Sequence, residues 1–169
     1  MTNVRAATLD DATIIAAIYA HHVLHGTASF ETEAPSTEFW TDKIAELGGR
    51  SWPFLVAEDE GGVIGYAYAT QFRDRPAYAR TCENSIYIRS GMIGRGIGTV
   101  LIAALLDAAA AYGFREMIAV IGGGEPASVA LHTKAGFRHA GRMERVGEKF
   151  GRLLDTVYMQ RSLTGTGTP

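Results

Sequence analysis

Apolar residues recur at Ile14, Ile15, Ile18 and Tyr19, the three-and-four spacing that keeps one face of a helix away from water. Thr8 precedes this run as a capping residue, with Asp11 three positions on to complete a box-like arrangement. Val4 to Ala7 reads as a short strand ahead of it. After a loop or short strand over Gly26 to Glu33, Pro35 and Ser36 introduce a second helix, Glu38 to Leu47, which stops at Gly48-Gly49. Phe54 to Glu58 and Val63 to Ala69 flank Asp59-Glu60-Gly61-Gly62, the signal of an antiparallel hairpin. Glu83 to Ile88 is the next strand, and the alanine-rich run Val100 to Tyr112 is a helix ended by Gly113. Met117 to Ile121 reads as a buried strand, broken by the segment Gly122 to Pro126. Ser128 is placed to cap a helix over Val129 to Ala135, closed by Gly136-Phe137. Residues 138 to 163 predict two more strands joined by a charged loop, the second being Asp155 to Met159. The order β-α-α-β-β-β-α-β-α-β-β, with no repeat and no linker, predicts one α+β domain over residues 1–163 with mixed strand direction. Residues 164–169 read as a disordered tail.

A length of 169 residues with 47% hydrophobic and 20% charged positions is that of an ordinary soluble domain with room for a core. The net charge of −2 gives no support for nucleic acid or an anionic membrane as a partner. Single Cys82 excludes an internal disulfide and a cysteine-based zinc cluster, and fits a reducing cytoplasm. Early charges and the lack of a long apolar run argue against a signal peptide or a membrane span. His21 and His25 are four apart, as helical zinc ligands would be, but no H-E-x-x-H and no third ligand accompany them; solvated or packed histidines are the better reading, and no metal is expected.

The chemistry begins at Gly94-Arg95-Gly96-Ile97-Gly98-Thr99, between a strand and a helix. Alternate glycines let a chain turn tightly or let a ligand approach its backbone. A helix start leaves unpaired N–H groups with the positive end of the helix dipole behind them, which is a site for phosphate. No lysine follows, so this is not a Walker loop; a G-x-G-x-x-G beginning at Gly94 would need its third glycine at Thr99. A structural turn without ligand is the alternative.

This loop resembles the acetyl-CoA pyrophosphate loop of the GNAT N-acetyltransferases, [QR]-x-x-G-x-[GA], with Gly96 and Gly98 at the small positions and Ile93 in place of the usual Gln or Arg. The element order is similar to that of the same superfamily. The segments His25–Glu31, Arg73–Tyr78, Glu83–Ile88, Gly94–Gly98, Ala119–Gly122 and Ser128–Phe137 are most similar to the phosphinothricin and methionine-sulfoximine (sulfone) acetyltransferases. A second departure is Glu125-Pro126, where family members usually carry Asn near position 125.

The resemblance implies a mixed, mostly antiparallel central sheet flanked by helices, acetyl-CoA as co-substrate, an amino-acid acceptor and a homodimer. It implies that the cofactor runs along Ile86, Tyr87 and Ile88 by backbone pairing, a main-chain N–H there being available to a developing oxyanion. Gly94, Arg95, Gly96, Ile97, Gly98, Thr99 and Ser128 would complete the cofactor site. A free α-amine has a pKa of about 8, so a general base is useful at neutral pH. Glu83 is the candidate by family context; a surface carboxylate at a strand end is the alternative. Arg73 and Arg75 read as a two-bond fork for an amino-acid carboxylate, against two solvated arginines near Asp74. Phe30, Glu31, Asp74, Tyr78, Asn84 and Ser85 are the remaining candidate acceptor contacts, with Phe30 and Tyr78 as apolar walls of one pocket. His132 is either an auxiliary acid, an orienting group or a packed histidine. Direct attack by the amine is expected in place of an acetyl-Cys82 intermediate. Two other readings stay open: a transferase for a protein N-terminus or polyamine, and an acyl-CoA sensor without turnover.

Overall fold

The computed structural model describes residues 1–165. Its elements are β1 (Asn3–Ala6), α1 (Ala12–His25), α2 (Thr37–Gly49), β2 (Phe54–Asp59), β3 (Gly62–Gln71), β4 (Thr81–Ile88), α3 (Ile97–Tyr112), β5 (Glu116–Gly122), α4 (Pro126–Lys134), β6 (Arg138–Lys149) and β7 (Arg152–Ser162). The order matches the one read from the sequence. Seven strands form one sheet in the spatial order β1-β2-β3-β4-β5-β7-β6. Only β4 and β5 run parallel; every other neighbouring pair is antiparallel.

The two faces of the sheet bury different residues because successive side chains in a strand point to opposite sides. On one face Ile15, Ile18, Trp40, Ile44 and Leu47 of α1 and α2 pack on Val56, Tyr66 and Tyr68. On the other, Leu101, Ile102, Leu105 and Ala109 of α3 pack on Ala57, Ala67, Cys82, Met117 and Ala119. Along β4 this sends Tyr87 to the α1–α2 face and Ile86 and Ile88 to the α3–α4 face.

Local signals act as expected at several ends. Asp11 accepts the Thr8 N–H at 2.8 Å and its hydroxyl at 3.1 Å, and the Ser36 hydroxyl accepts the Phe39 N–H at 3.2 Å to cap α2. Gly113 ends α3 at φ +111°, a left-handed conformation that costs glycine little.

Most boundaries shift by a few residues, and two readings change in kind. Ser128 is not a cap: α4 starts two residues earlier at Pro126, whose missing N–H falls where a helix has no acceptor for one. The charged loop between the last strands is strand, because β6 extends to Lys149 and closes through a two-residue turn, Phe150-Gly151, with both φ positive. Most of β6 is exposed, so its polar sequence carries no buried alternation to mark it. Gly26 to Glu33, read as a loop or short strand, is a loop. Of the predicted disordered tail, residues 164 and 165 lie outside any helix or strand, and 166–169 lie outside the described residues.

Candidate active site

The site forms where β4 and β5 separate. They pair from Thr81–Glu116 to Asn84–Ala119 and no further. Yet β4 stays paired with β3 up to Ile88, and β5 with β7 up to Gly122. The inner edges of residues 85–88 and 120–122 therefore face a wedge instead of each other. Apart from the Ile88 carbonyl, which His22 holds, backbone donors and acceptors on such edges are available to an extended ligand that adds itself as a half-strand. A slot of about 120 Å³ lies here, lined by Glu83, Ser85, Ile86, Tyr87, Ser128 and His132 among others.

Glu83 and His132 approach this slot from opposite faces of the sheet. Glu83 shares the α1–α2 face with Tyr87, by strand alternation. Burial pushes its carboxyl above the ordinary range, while the charges of Arg73 and Lys43 pull it part of the way back. Arg73 Nη1 stands 3.9 Å from the carboxylate. Lys43 was not singled out in the sequence; its Nζ lies 4.8 Å from the centre of the Tyr68 ring and 5.4 Å from that of Phe39. A lysine near Phe39 and Trp40 on a helix gives no sign of facing a carboxylate 40 positions away.

On the other face, His132 is 2% exposed. Its Nδ1 is 2.7 Å from the Ser128 carbonyl and its Nε2 is 3.1 Å from the Asn84 side-chain amide. Burial holds the imidazole below its ordinary pKa, hence neutral near pH 7. The Ser128 carbonyl can only accept, which puts the single proton on Nδ1 and leaves a lone pair on Nε2. The Asn84 amide is 6% exposed; it presents its oxygen to Nε2, and its NH2 has no protein partner among the described residues. Turned about its axis, it donates that NH2 to the Nε2 lone pair. Asn84, expected to contact the acceptor, instead turns to α4, because alternation puts it on the face opposite Glu83.

The glycine loop meets the helix start as the sequence suggests. Gly94 and Gly96 hold φ +84° and +80°, and no side chain caps α3. None of the backbone N–H groups of residues 94–99 donates to a protein acceptor among the described residues. Gly98 lies against Leu131 of α4, where an added Cβ would sit 3.3 Å from that side chain. Arg95 is exposed, as is Ile93.

The segment 73–78 folds at the mouth on the Glu83 side. Gln71 ties it down, its side-chain NH2 donating to the carbonyls of Arg73 at 2.7 Å and Arg75 at 2.9 Å. Arg73, Asp74, Arg75 and Tyr78 are exposed. Tyr78 packs edge-on against Phe72 at 5.6 Å between ring centres, so it does not share a pocket wall with Phe30. Phe30 and Glu31 line a separate, open cavity of about 440 Å³ with Tyr19, Ser29, Tyr87 and Thr156. This cavity adjoins the slot through Ala28, Tyr87, Val120 and Gly122, which line both.

Cys82 is fully buried and its thiol is pushed up to about 12, which removes the thiolate needed for a nucleophile. His22 donates from Nε2 to the Ile88 carbonyl, 2.7 Å away, so its proton is on Nε2. His21 and His25 are exposed on α1, and no cluster of three metal-type ligands occurs among the described residues.

Comparison with known proteins places this geometry. The family model described as an acetyltransferase (GNAT) domain matches residues 4–158. The chain belongs to the GNAT acetyltransferase family. It is an N-acetyltransferase of that family, and its relatives narrow the type. It is 45% identical over 166 residues to the phosphinothricin N-acetyltransferase of Alcaligenes faecalis, covering 98% of this chain and 84% of that one. It is 38% identical over 168 residues to the L-methionine sulfoximine/L-methionine sulfone acetyltransferase of Pseudomonas aeruginosa, covering 97% and 96%. The crystal structure of a phosphinothricin acetyltransferase from Sinorhizobium meliloti in complex with AcCoA superposes with a TM-score of 0.95 at 45% identity, covering 99% of this chain and 92% of that one. The described residues contain no helix long and apolar enough to cross a membrane.

Proposed function

We propose that this protein transfers the acetyl group of acetyl-CoA to the α-amine of a small amino acid whose side chain ends in a tetrahedral phosphinate, sulfoximine or sulfone. The observation that carries this reading is the wedge beyond Asn84 and Ala119, with a half-buried carboxylate at one mouth and unfilled helix N–H groups at the other. The residues present fit the co-substrate. Unpaired amides at 94–99 suit a diphosphate, with Arg95 adding charge. The inner edge of Ser85 to Ile88 suits an amide-bearing arm, and Ser128 lies beside it on the slot. Neither Ile93 nor Glu125 offers the side chain usual in the family, and backbone donors make that loss tolerable.

Bound acetyl-CoA supplies an activated acetyl thioester. On the acceptor side Glu83 takes a proton from the α-ammonium, directly or through one water, and frees the lone pair for direct attack on the thioester carbonyl. The C–S bond then breaks, CoA leaving as a thiolate that takes up the proton the new amide nitrogen loses. Its raised pKa brings it closer to that of the amine and makes it a better base than a solvated carboxylate. Arg73, with Arg75 beside it on the same segment, forks onto the acceptor carboxylate. A main-chain N–H on the inner edge of β4 meets the developing oxyanion. His132 faces the thioester from the opposite side, where its neutral form orients the slot through Asn84 and Ser128. Relatives of this type support the acceptor class. A homodimer, which the family resemblance implies, and a cytoplasmic location, which single Cys82 fits, belong to the proposal.

Thiol release from acetyl-CoA, measured with phosphinothricin, methionine sulfoximine, methionine sulfone, ordinary amino acids, a peptide N-terminus and polyamines, tests it. Saturable release with the first three is expected. Release confined to peptide or polyamine moves the acceptor class, and tight acetyl-CoA binding without release with any amine makes the chain a sensor.

A further inference from the structure

Lys149 is 5% exposed, yet it lies on the long exposed edge strand β6. Burying an ammonium is costly unless it is well bonded. Its Nζ donates to the Ser29 carbonyl at 2.7 Å, across 120 positions of sequence. The position is firm, since Lys149 pairs with Arg152 to close the β6–β7 hairpin.

The segment it grips is fastened from several sides. The Ser29 hydroxyl is 2.7 Å from the Tyr19 hydroxyl and accepts the Glu31 N–H at 3.1 Å. Phe30 fits where two strands leave out a side chain. A Cβ added at Gly147 would fall 2.4 Å from its ring, and one at Gly122 would fall 3.0 Å from it. Gly147 and Lys149 share one face of β6, so the strand both makes room for Phe30 and pulls on the residue before it. Ser29, Phe30 and Glu31 form one wall of the cavity that opens into the slot.

We infer that Lys149 is a positioning residue for the acceptor pocket: through the Ser29 carbonyl it holds residues 29–31 as a fixed wall, with Gly147 seating the Phe30 ring. This rests on the acceptor reading above and adds residues of a strand otherwise remote from the wedge. A fixed wall lets an amino acid enter a pocket already shaped, without the ordering cost that a mobile loop would add to binding.

The test compares Lys149→Met and Gly147→Ala with the parent protein in thiol-release kinetics, together with amide hydrogen exchange over residues 27–31. Lys149→Met is expected to raise the amino-acid KM about 10-fold, with kcat and the acetyl-CoA KM within about twofold. The Glu31 amide should exchange faster, because its acceptor is the Ser29 hydroxyl. Gly147→Ala should act in the same direction by displacing Phe30, and it carries the test if Lys149→Met does not fold. A folded variant with unchanged amino-acid KM and unchanged Glu31 exchange overturns the inference, as does activity lost only in proportion to unfolded protein. If the parent protein releases no thiol with any amino acid, the acceptor reading has failed. The exchange data then decide the clasp alone, faster exchange supporting it and unchanged exchange refuting it.

Discussion

Arg73 Nη1 stands 3.9 Å from the Glu83 carboxylate, across the mouth of a wedge that neither residue's sequence neighbours reveal. At that distance the pair is an electrostatic contact and not a closed hydrogen bond, which leaves the carboxylate free to receive a proton. Glu83→Gln should therefore lower kcat by 10-fold or more and flatten the acid limb of the pH–rate profile. A profile that keeps its acid limb removes Glu83 from the mechanism.

Lys43 provides a test of the same group without touching it. Its positive charge lowers the Glu83 pKa against the upward push of burial. Lys43→Met removes that charge, so the Glu83 pKa rises and the acid limb moves to higher pH. Below the limb the variant loses rate relative to the parent protein; above it the two converge. A limb that stays in place, or moves to lower pH, contradicts the assignment.

Gly96→Ala probes the other mouth. An added Cβ meets no protein atom within 4 Å, so the effect is confined to the backbone at φ +80°. Holding alanine left-handed costs about 1–2 kcal/mol, which the chain relieves by moving the N–H groups of residues 96–98. The acetyl-CoA KM should rise several-fold with the amino-acid KM unchanged. The reverse pattern in steady-state kinetics would place the coenzyme elsewhere.

Asn84→Leu leaves the Nε2 of buried His132 without its partner. An orphaned buried acceptor costs about 1–3 kcal/mol, or roughly 2–10 °C in Tm for a domain of this size. Calorimetry showing no loss would mean that the Asn84–His132 contact contributes nothing to the fold.

The Arg5–Asp11 pair, held by bonds of 2.8 and 2.9 Å, makes a prediction about acid stability. The Arg5 guanidinium holds the Asp11 carboxyl below its ordinary range, helped by the Thr8 N–H and opposed by burial. A carboxyl with a depressed folded-state pKa stabilises the fold above the unfolded value of about 3.9, and that gain is lost as pH falls through the folded value. Urea midpoints from pH 7 down to 3 should fall more steeply for the parent protein than for Asp11→Asn. Parallel curves would show that the pair carries no pH-dependent stability.

Much of this was legible along the chain. Helical spacing at Ile14 to Tyr19, the turn at Glu60-Gly61 and the glycines around residue 96 are local signals, and each marks an element within a few residues of its place. Ser128 misled because a serine three residues into α4 looks like a cap when Pro126 is read as a breaker; at a first helical position proline is compatible with the helix. The far end of β6 reads as a charged loop because an exposed edge needs no apolar alternation, and its bulge between Met143 and Gly147 further disrupts the period. Lys43, Gln71 and Lys149 had no local mark at all. Lys43 and Lys149 act through partners brought near by packing, Lys149 at a separation of 120 positions, whereas Gln71 holds carbonyls only two and four residues away.

The sequence by itself determined the order of elements, the α+β class and the glycine loop that opens a helix; the acetyltransferase reading came from its resemblance to a family. The first three depend on periodicity and turn chemistry within a dozen residues, where the physics is local. Only the tertiary structure decided that β4 and β5 part after Asn84 and Ala119, that Glu83 and His132 address the gap from opposite faces, and that Lys149 reaches Ser29. Those facts depend on which strands lie side by side and on the parity of each residue along its strand. Both are fixed by packing two helical layers on one sheet, and neither is encoded in any single stretch of chain.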